Sequence, residues 1–282
     1  MRSRELRFIR TSFMGYVREF VKDIFGEKTL VVAAHPDDEV AGAGALLRYL
    51  ERAFFVHVTD GAPRDLADAV SHGFSSAEEY AEARRKELFA ALSISGIRPE
   101  DCFPPWVPDR EAGYHLVEIA LKLRDAIMET GAESVLTLAY EGGHPDHDSL
   151  CFAAHAAAGL IRKAGGDPPP LIEYALYNAM DGRLSSLEFI PREGFDEITF
   201  MLSEEERRIK GRMMDCFATQ APVLSMFPLQ FERFRPAPPY VFTASPHEGR
   251  LHYEQFDWGI DGKKWRELAS GAMKELGTGS PM

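Results

Sequence analysis

The sequence predicts an α/β fold: an open, mostly parallel sheet with helices on both faces. Three observations carry that expectation. Short β-rich apolar runs alternate with amphipathic helical ones through roughly the first 180 residues. Two of those runs, TLVVAAH (29–35) and AFFVHVTDG (53–61), flank a helical stretch short enough for one right-handed crossover, hence parallel strands. Polar clusters also fall where three of the strands end, which is where open α/β sheets bind their ligands.

Taken in order, Ile9, Phe13, Val17, Phe20, Val21 and Ile24 recur at steps of three and four, one apolar stripe on an N-terminal amphipathic helix within 1–28. Gly26 is suited to stop it. Its stripe is expected to pack on the body or on a second subunit, so a homo-oligomer stays open, rather than on a membrane. AGAGALLRYL (41–50) reads as the first crossover helix. SSAEEYAEARRKELFAALSISG (75–96) reads as a long helix capped by Ser76, with Glu79 completing a capping box. DCFPPWVPD (101–109) is a strand end and loop. Helices follow at 114–131 and 150–166, closed by Gly131 and by Gly165–Gly166, with buried strands at 132–140 and 171–180. The last helix of the alternating part is 203–220, acidic in its first turn as the macrodipole favours. Residues 221–282, rich in proline, aromatics and turns, read as an irregular or short-stranded C-terminal cap. No linker, repeat or low-complexity tract divides the chain, so 1–282 is taken as a single domain.

Composition limits the partners. The 282 residues carry a formal net charge of −12, which argues against nucleic acid, because phosphate contacts need clustered Lys and Arg. No apolar run reaches the roughly 18–20 residues of a membrane span. Charged residues interrupt any secretory leader. The three cysteines, Cys102, Cys151 and Cys216, are scattered and outside any CxxC. They fit free thiols in the cytoplasm.

The chemistry gathers in HPDDE (35–39), TDGAPRD (59–65) and EGGHPDHD (141–148). A chain turning from strand into helix brings residues i and i+3 to one side. His35 and Asp38 have that spacing, as do His144 and His147. One histidine and one carboxylate from the first loop, with one histidine from the second, make a three-ligand set with an open position, the arrangement of catalytic zinc. A cation also removes the repulsion among Asp37, Asp38 and Glu39. Spacing does not say which of His144 and His147 is the ligand. Asp37 is left over and suited to take a proton from a water. If His147 binds metal, His144 is free to steady an oxyanion or protonate the leaving group, and Asp146 to hold an imidazole in its tautomer. Fe2+ fits a two-histidine, one-carboxylate set as well as Zn2+ does.

AAHPDDEVAGAGALL, TDGAPRD and YEGGHPDHDSL resemble the motifs of the PIG-L/LmbE family of zinc-dependent de-N-acetylases, over roughly residues 29–220. The resemblance implies a Rossmann-like sheet and hydrolysis of an N-acetyl group on an N-acetylglucosamine-type sugar or glycoconjugate. The alternatives are an amidase of thiol conjugates and a tailoring deacetylase of a secondary metabolite. By that likeness His35, Asp38 and His147 hold the metal, Asp37 is the general base, and His144 is the protonated partner of the oxyanion. Where some relatives place a tyrosine, this chain has Gly142, with Tyr140 nearby. Arg64 is the candidate for a substrate hydroxyl or anionic group, and His72, in a loop near the expected entrance, for a further substrate contact.

His57, His115 and His155 are expected to be structural. Phe234, Tyr240, His247, Tyr253 and Trp258 in the cap are read chiefly as a small core, with a sugar-stacking platform as the alternative. Two other classes are weaker. An inactive metal-binding scaffold has no need of Asp37 and His144, and no GxGxxG follows the first strand to support a dinucleotide-dependent oxidoreductase.

Overall fold

The computed structural model describes residues 7–10, 14–180 and 182–279. The chain opens with β1 (Arg7–Arg10), followed by α1 (Met14–Phe25). Val17, Val21 and Phe25, one turn apart, are buried, and Gly26 (φ 74°) ends the helix. The N-terminal helix is therefore shorter than its stripe suggests. Ile9 belongs to a strand, because a sheet edge is at hand to pair with it, and Phe13 lies outside the described residues.

β2 (Lys28–Ala33) and β3 (Arg52–His57) pair in parallel, Lys28 beside Arg52 and Ala33 beside His57. Between them, α2 (Asp38–Ala43) and one 3-10 turn replace the single helix expected over 41–50. α2 begins inside HPDDE itself. α3 (Ala67–Ser71) and α4 (Ala77–Ile94) follow. Ser76 caps α4 by accepting the Glu79 N–H (3.2 Å), while the Glu79 carboxylate accepts from Ser75 rather than Ser76 (2.9 Å). Then come α5 (Leu116–Thr130), β4 (Ser134–Leu138), α6 (Pro145–Lys163) and β5 (Leu171–Tyr174). A two-residue ribbon, β6 (Tyr177–Asn178) with β7 (Ser185–Ser186), precedes β8 (Ile198–Met201) and α7 (Glu204–Met214), whose Ser203–Glu206 capping box is complete. α8 (Ala221–Leu224), β9 (Phe231–Pro236) and α9 (Gly262–Leu276) finish the chain.

The seven-stranded sheet runs β1-β8-β9-β5-β4-β2-β3. β9 alone is antiparallel to its neighbours. The helices flank the sheet in two groups, α5 with α6 and α9, and α2 with α4 and α7. The expected α/β class and parallel order are present. The C-terminal segment is more than an irregular cap. It threads β9 into the sheet between β5 and β8, and it lays α9 against α5 and α6. Charges disguised that strand. Glu232 of β9 is fully buried with Lys210 (3.0 Å) and caps the Ala45 and Leu46 amides, and buried Arg235 pairs with Glu173 (2.8 Å). Alternating charges read as a solvated surface when their partners lie far away in sequence.

β2 continues to β3 on one side, whereas β4 lies on its other side. The carboxyl ends of β2 and β4 thus border the point where strand order reverses, the crevice in which such sheets place ligands. HPDDE leaves β2 there and GHPDHD leaves β4. Among the described residues, no helix is long and apolar enough to cross a membrane.

Candidate metal centre and its cavity

His35, Asp37 and Asp38 lie on the turn from β2 into α2. His144 is the N-cap of α6, and Asp146 and His147 are in its first turn. All six are buried. Asp38 is aimed by the backbone: its Oδ2 accepts the amides of Ala34 (3.1 Å) and His35 (2.8 Å). His35 Nδ1 is 3.4 Å from the Asp38 carboxylate, His147 Nε2 is 3.3 Å from it, and the two ring nitrogens are 3.3 Å apart. The nitrogen–nitrogen separation is the edge of a tetrahedron whose corners lie about 2.0–2.1 Å from its centre, the usual Zn–N length, and each nitrogen faces a different oxygen of the Asp38 carboxylate. Two nitrogens facing each other beside one carboxylate are a donor set for a cation, so the residues present fit a divalent metal.

The far side of His35 fixes its tautomer. Nε2 lies 3.0 Å from Asp109 Oδ1 and 3.3 Å from Asp146 Oδ2, so an N–H there leaves Nδ1 with a free lone pair. Burial opposes a charge on His35, but Asp109 and Asp38 carry its pKa well above the usual value, so a proton competes with a metal for Nδ1. Asp146, fully buried, also accepts the amides of Arg110 (2.7 Å) and Ala112 (3.1 Å). The imidazole it steadies is His35; His144 Nδ1 is 4.0 Å away. Asp109 was not among the expected residues.

His144 Nδ1 accepts the backbone N–H of Asp146 (3.1 Å). A ring that accepts there presents Nε2–H as a neutral donor. Burial, then the neighbouring His35 and His147, hold its pKa well below the ordinary histidine value. A helix N-terminus beside two other imidazoles disfavours the imidazolium, while Asp109 and Asp38 favour it.

Asp37 stands at φ 147°, ψ −24°, a region that non-glycine residues rarely occupy. Arg84, buried in α4, holds it there, donating to Asp37 Oδ2 (3.1 Å) and to the carbonyls of Pro36 (3.0 Å) and Gly61 (2.8 Å). Burial raises the Asp37 carboxyl to about 7; Arg84 opposes the rise and Asp38 adds to it. A carboxylate poised near neutrality suits a general base. Arg84 gave no signal in the sequence, where ARRKE reads as an exposed helix face.

These groups floor a cavity of about 450 Å³. His72 is at its mouth, stacked on Tyr80 with ring centres 5.5 Å apart, and Gln220 lines it while donating to the Tyr80 hydroxyl (2.8 Å). Arg64 does not line it. Its guanidinium is bound to Asp60 and the Ala62 carbonyl and faces a neighbouring cleft beside α4. Arg110 takes the place at the mouth, paired with Asp65 (2.7 Å) and Asp68 (2.9 Å) and lying over Trp258 (4.8 Å). Of the aromatic residues picked out near the C-terminus, Phe234, Tyr240 and Tyr253 are core, and Trp258 faces the cavity. Tyr140 donates to the Ala244 carbonyl (2.8 Å); the tyrosine at the site is Tyr177, its ring 5.1 Å from that of His147. His57 is structural, 3.1 Å from buried Glu39.

The fold is similar to that of the zinc-inhibited form of teicoplanin deacetylase Orf2, at 18% identity over 74% of this chain and 97% of that one, TM-score 0.58. It is similar to the A40926 pseudoaglycone deacetylase Dbv21, at 23% identity over 74% and 96%, TM-score 0.57. It is also similar to GalB, the 4-carboxy-2-hydroxymuconate hydratase of Pseudomonas putida KT2440, at 20% identity over 71% and 82%, TM-score 0.52. Identities this low establish shared architecture alone, and that architecture serves more than one reaction. No curated protein matches the chain. The sequence does match the family described as PIG-L: GlcNAc-PI de-N-acetylase, from the second residue after the start of β2 to the middle of α6, a span holding both histidine motifs. The match is to residues 30–158, and over that stretch the chain is similar to the PIG-L family.

Proposed function

We propose that this protein is a metal-dependent amidohydrolase that removes an N-acetyl group from an N-acetylglucosamine-type amino sugar or glycoconjugate. The observation that carries the reading is the cluster of His35 Nδ1, His147 Nε2 and the two Asp38 oxygens, with separations of 3.3–3.4 Å, beside Asp37 and His144 as proton-transfer groups. The family description and the deacetylases among proteins of similar fold support the same class.

When bound at that cluster, Zn2+, with Fe2+ as the alternative, supplies Lewis acidity toward the amide oxygen and an activated water. The chain's own groups do the rest. Asp37 takes the proton of the attacking water, and burial keeps its affinity for that proton high. His144 offers Nε2–H to the negative charge growing on the amide oxygen, without needing to be charged itself. The proton held by Asp37 is then available to the departing amine. Asp109 and Asp146 keep the His35 ring in its metal-binding tautomer. Arg84 holds Asp37 in place.

The test is acetate release from a panel of N-acetylated sugars and conjugates, using chelator-stripped protein and the same protein resupplied with zinc or ferrous iron. Activity lost on stripping and recovered on resupply is the expected result. Hydrolysis indifferent to chelator, or no hydrolysis of any N-acetyl substrate with either metal, overturns the reading.

A further inference from the structure

The cavity changes character from floor to mouth. The floor is carboxylate and imidazole; the outer wall includes Tyr177, Leu224, Phe227 and Trp258, and Leu184, Val223 and Phe256 share the rim with His72 and Arg110. Those three rim side chains are 46%, 47% and 44% exposed. They are three of the eight large apolar side chains exposed among the described residues, and they meet around one opening. Scattered singly, exposed apolar groups mean little; gathered at the mouth of a polar-floored cavity, they mark what covers them. Phe256 is stacked on Trp258 (centroids 4.5 Å apart, planes 12°), and Trp258 leans on His144 (4.8 Å). The apolar wall is therefore continuous with the reacting groups.

The charges at the opening point the same way. Among the described residues no lysine lines the cavity, and both lining guanidiniums are engaged: Arg84 by Asp37, Arg110 by Asp65 and Asp68. Asp37, Asp38, Asp68 and Asp109 line it as well. A phosphate entering past them would meet carboxylates and no lysine or uncommitted guanidinium, which opposes its binding.

We infer that the cavity mouth is a subsite for an uncharged apolar aglycone, so that the substrate is an amino-sugar glycoside carrying an aryl or alkyl group, not a free sugar and not a phosphate-linked one. This names the substrate class of the reading above and rests on it for the position of the sugar. Leu184, Val223 and Phe256 cover the apolar group, while the sugar sits inward over His144 and the metal centre.

The experiment separates the subsite from the reaction by using ligands that have no acetyl group to lose: phenyl glucosaminide, octyl glucosaminide, glucosamine and glucosamine 1-phosphate, titrated calorimetrically into the intact metal-loaded protein. One or both apolar glycosides are expected to bind at least about tenfold more tightly than glucosamine, and the phosphate more weakly than glucosamine. Which of the two binds better distinguishes an aryl from an alkyl aglycone. The preference should collapse in Val223→Ser/Phe256→Ser and, independently, in Leu184→Ser, exposed positions whose replacement leaves the core intact. Equal binding of all four ligands, tighter binding of the phosphate, or an apolar preference unmoved in both variants overturns the inference. Apolar preference without acetate release from any N-acetyl counterpart would instead sink the proposed reaction and leave the subsite standing.

Discussion

Asp37 occupies a backbone conformation that costs a non-glycine residue about 1–3 kcal/mol, and the bonds from Arg84 offset that strain. Strain kept at such a position is expected to serve chemistry. Asp37→Ala should lose about a hundredfold or more in kcat while still binding one metal per chain, and Asp37→Asn, which can keep the Arg84 contact, should lose as much. Undiminished kcat in either variant removes Asp37 from the reaction. Asp109→Ala acts one contact further out. Losing its hold on His35 Nε2 should weaken metal affinity about 10- to 100-fold, read by competition with a chelator. The clustering of His35, Asp38 and His147 was legible because HPDD and HPDH each compress donors onto a strand end. Asp109 was not, because its place depends on Val107 bridging to Thr59 beside β3, a contact that no local pattern announces. Arg64 was misplaced for the converse reason: its loop follows the right strand, but a carboxylate four residues earlier turns its side chain away.

At the scale of elements, the two motif loops are set by what can approach them. A Cβ on Gly143 would stand 2.3 Å from the Tyr177 carbonyl, and one on Gly42 would stand 2.2 Å from the Tyr174 ring. The first obstacle is backbone and cannot rotate away. Gly143→Ala is expected to destabilise by about 1–3 kcal/mol and to displace His144, lowering Tm by several degrees together with activity. A variant of unchanged Tm would show that the β6 segment gives way freely. The strands and helices flanking the motifs were readable because burial period and caps agree there, as in α5 with Gly131 and α7 with its capping box. β9 was not, since two of its three buried residues are the charges Glu232 and Arg235, each satisfied by a residue from another element.

Across the whole molecule, several carboxyls are buried without a full counter-charge. Burial raises Glu141 to about 8, Glu173 to about 7 and Asp148 to about 7, against the partial opposition of Arg235 or backbone amides. Folded pKa values above the unfolded ones mean that the native state binds the extra protons. That stabilisation is complete below the ordinary carboxylate range and is lost as pH rises through about 7–8. Unfolding free energy of chelator-treated protein should therefore fall between about pH 5 and 8, by up to about 1.4 kcal/mol per pH unit for each such group. Glu141→Gln, which mimics the protonated form, should flatten the slope; urea titrations giving the same slope for both proteins would refute the assignment.

The antiparallel strand also governs the order in which this sheet can be assembled. Arg7 finds its neighbour only at Ile198, and the β5 edge stays open until Phe231–Pro236 arrive to close it. A nascent chain emerging from the ribosome thus carries a raw edge of unpaired amides and carbonyls from Tyr174 until Phe231 is made, open to the same edge on another copy. Recovery of this protein from denaturant should decline as concentration rises, with misassembly seeded at β5 and not at the two histidine-bearing loops.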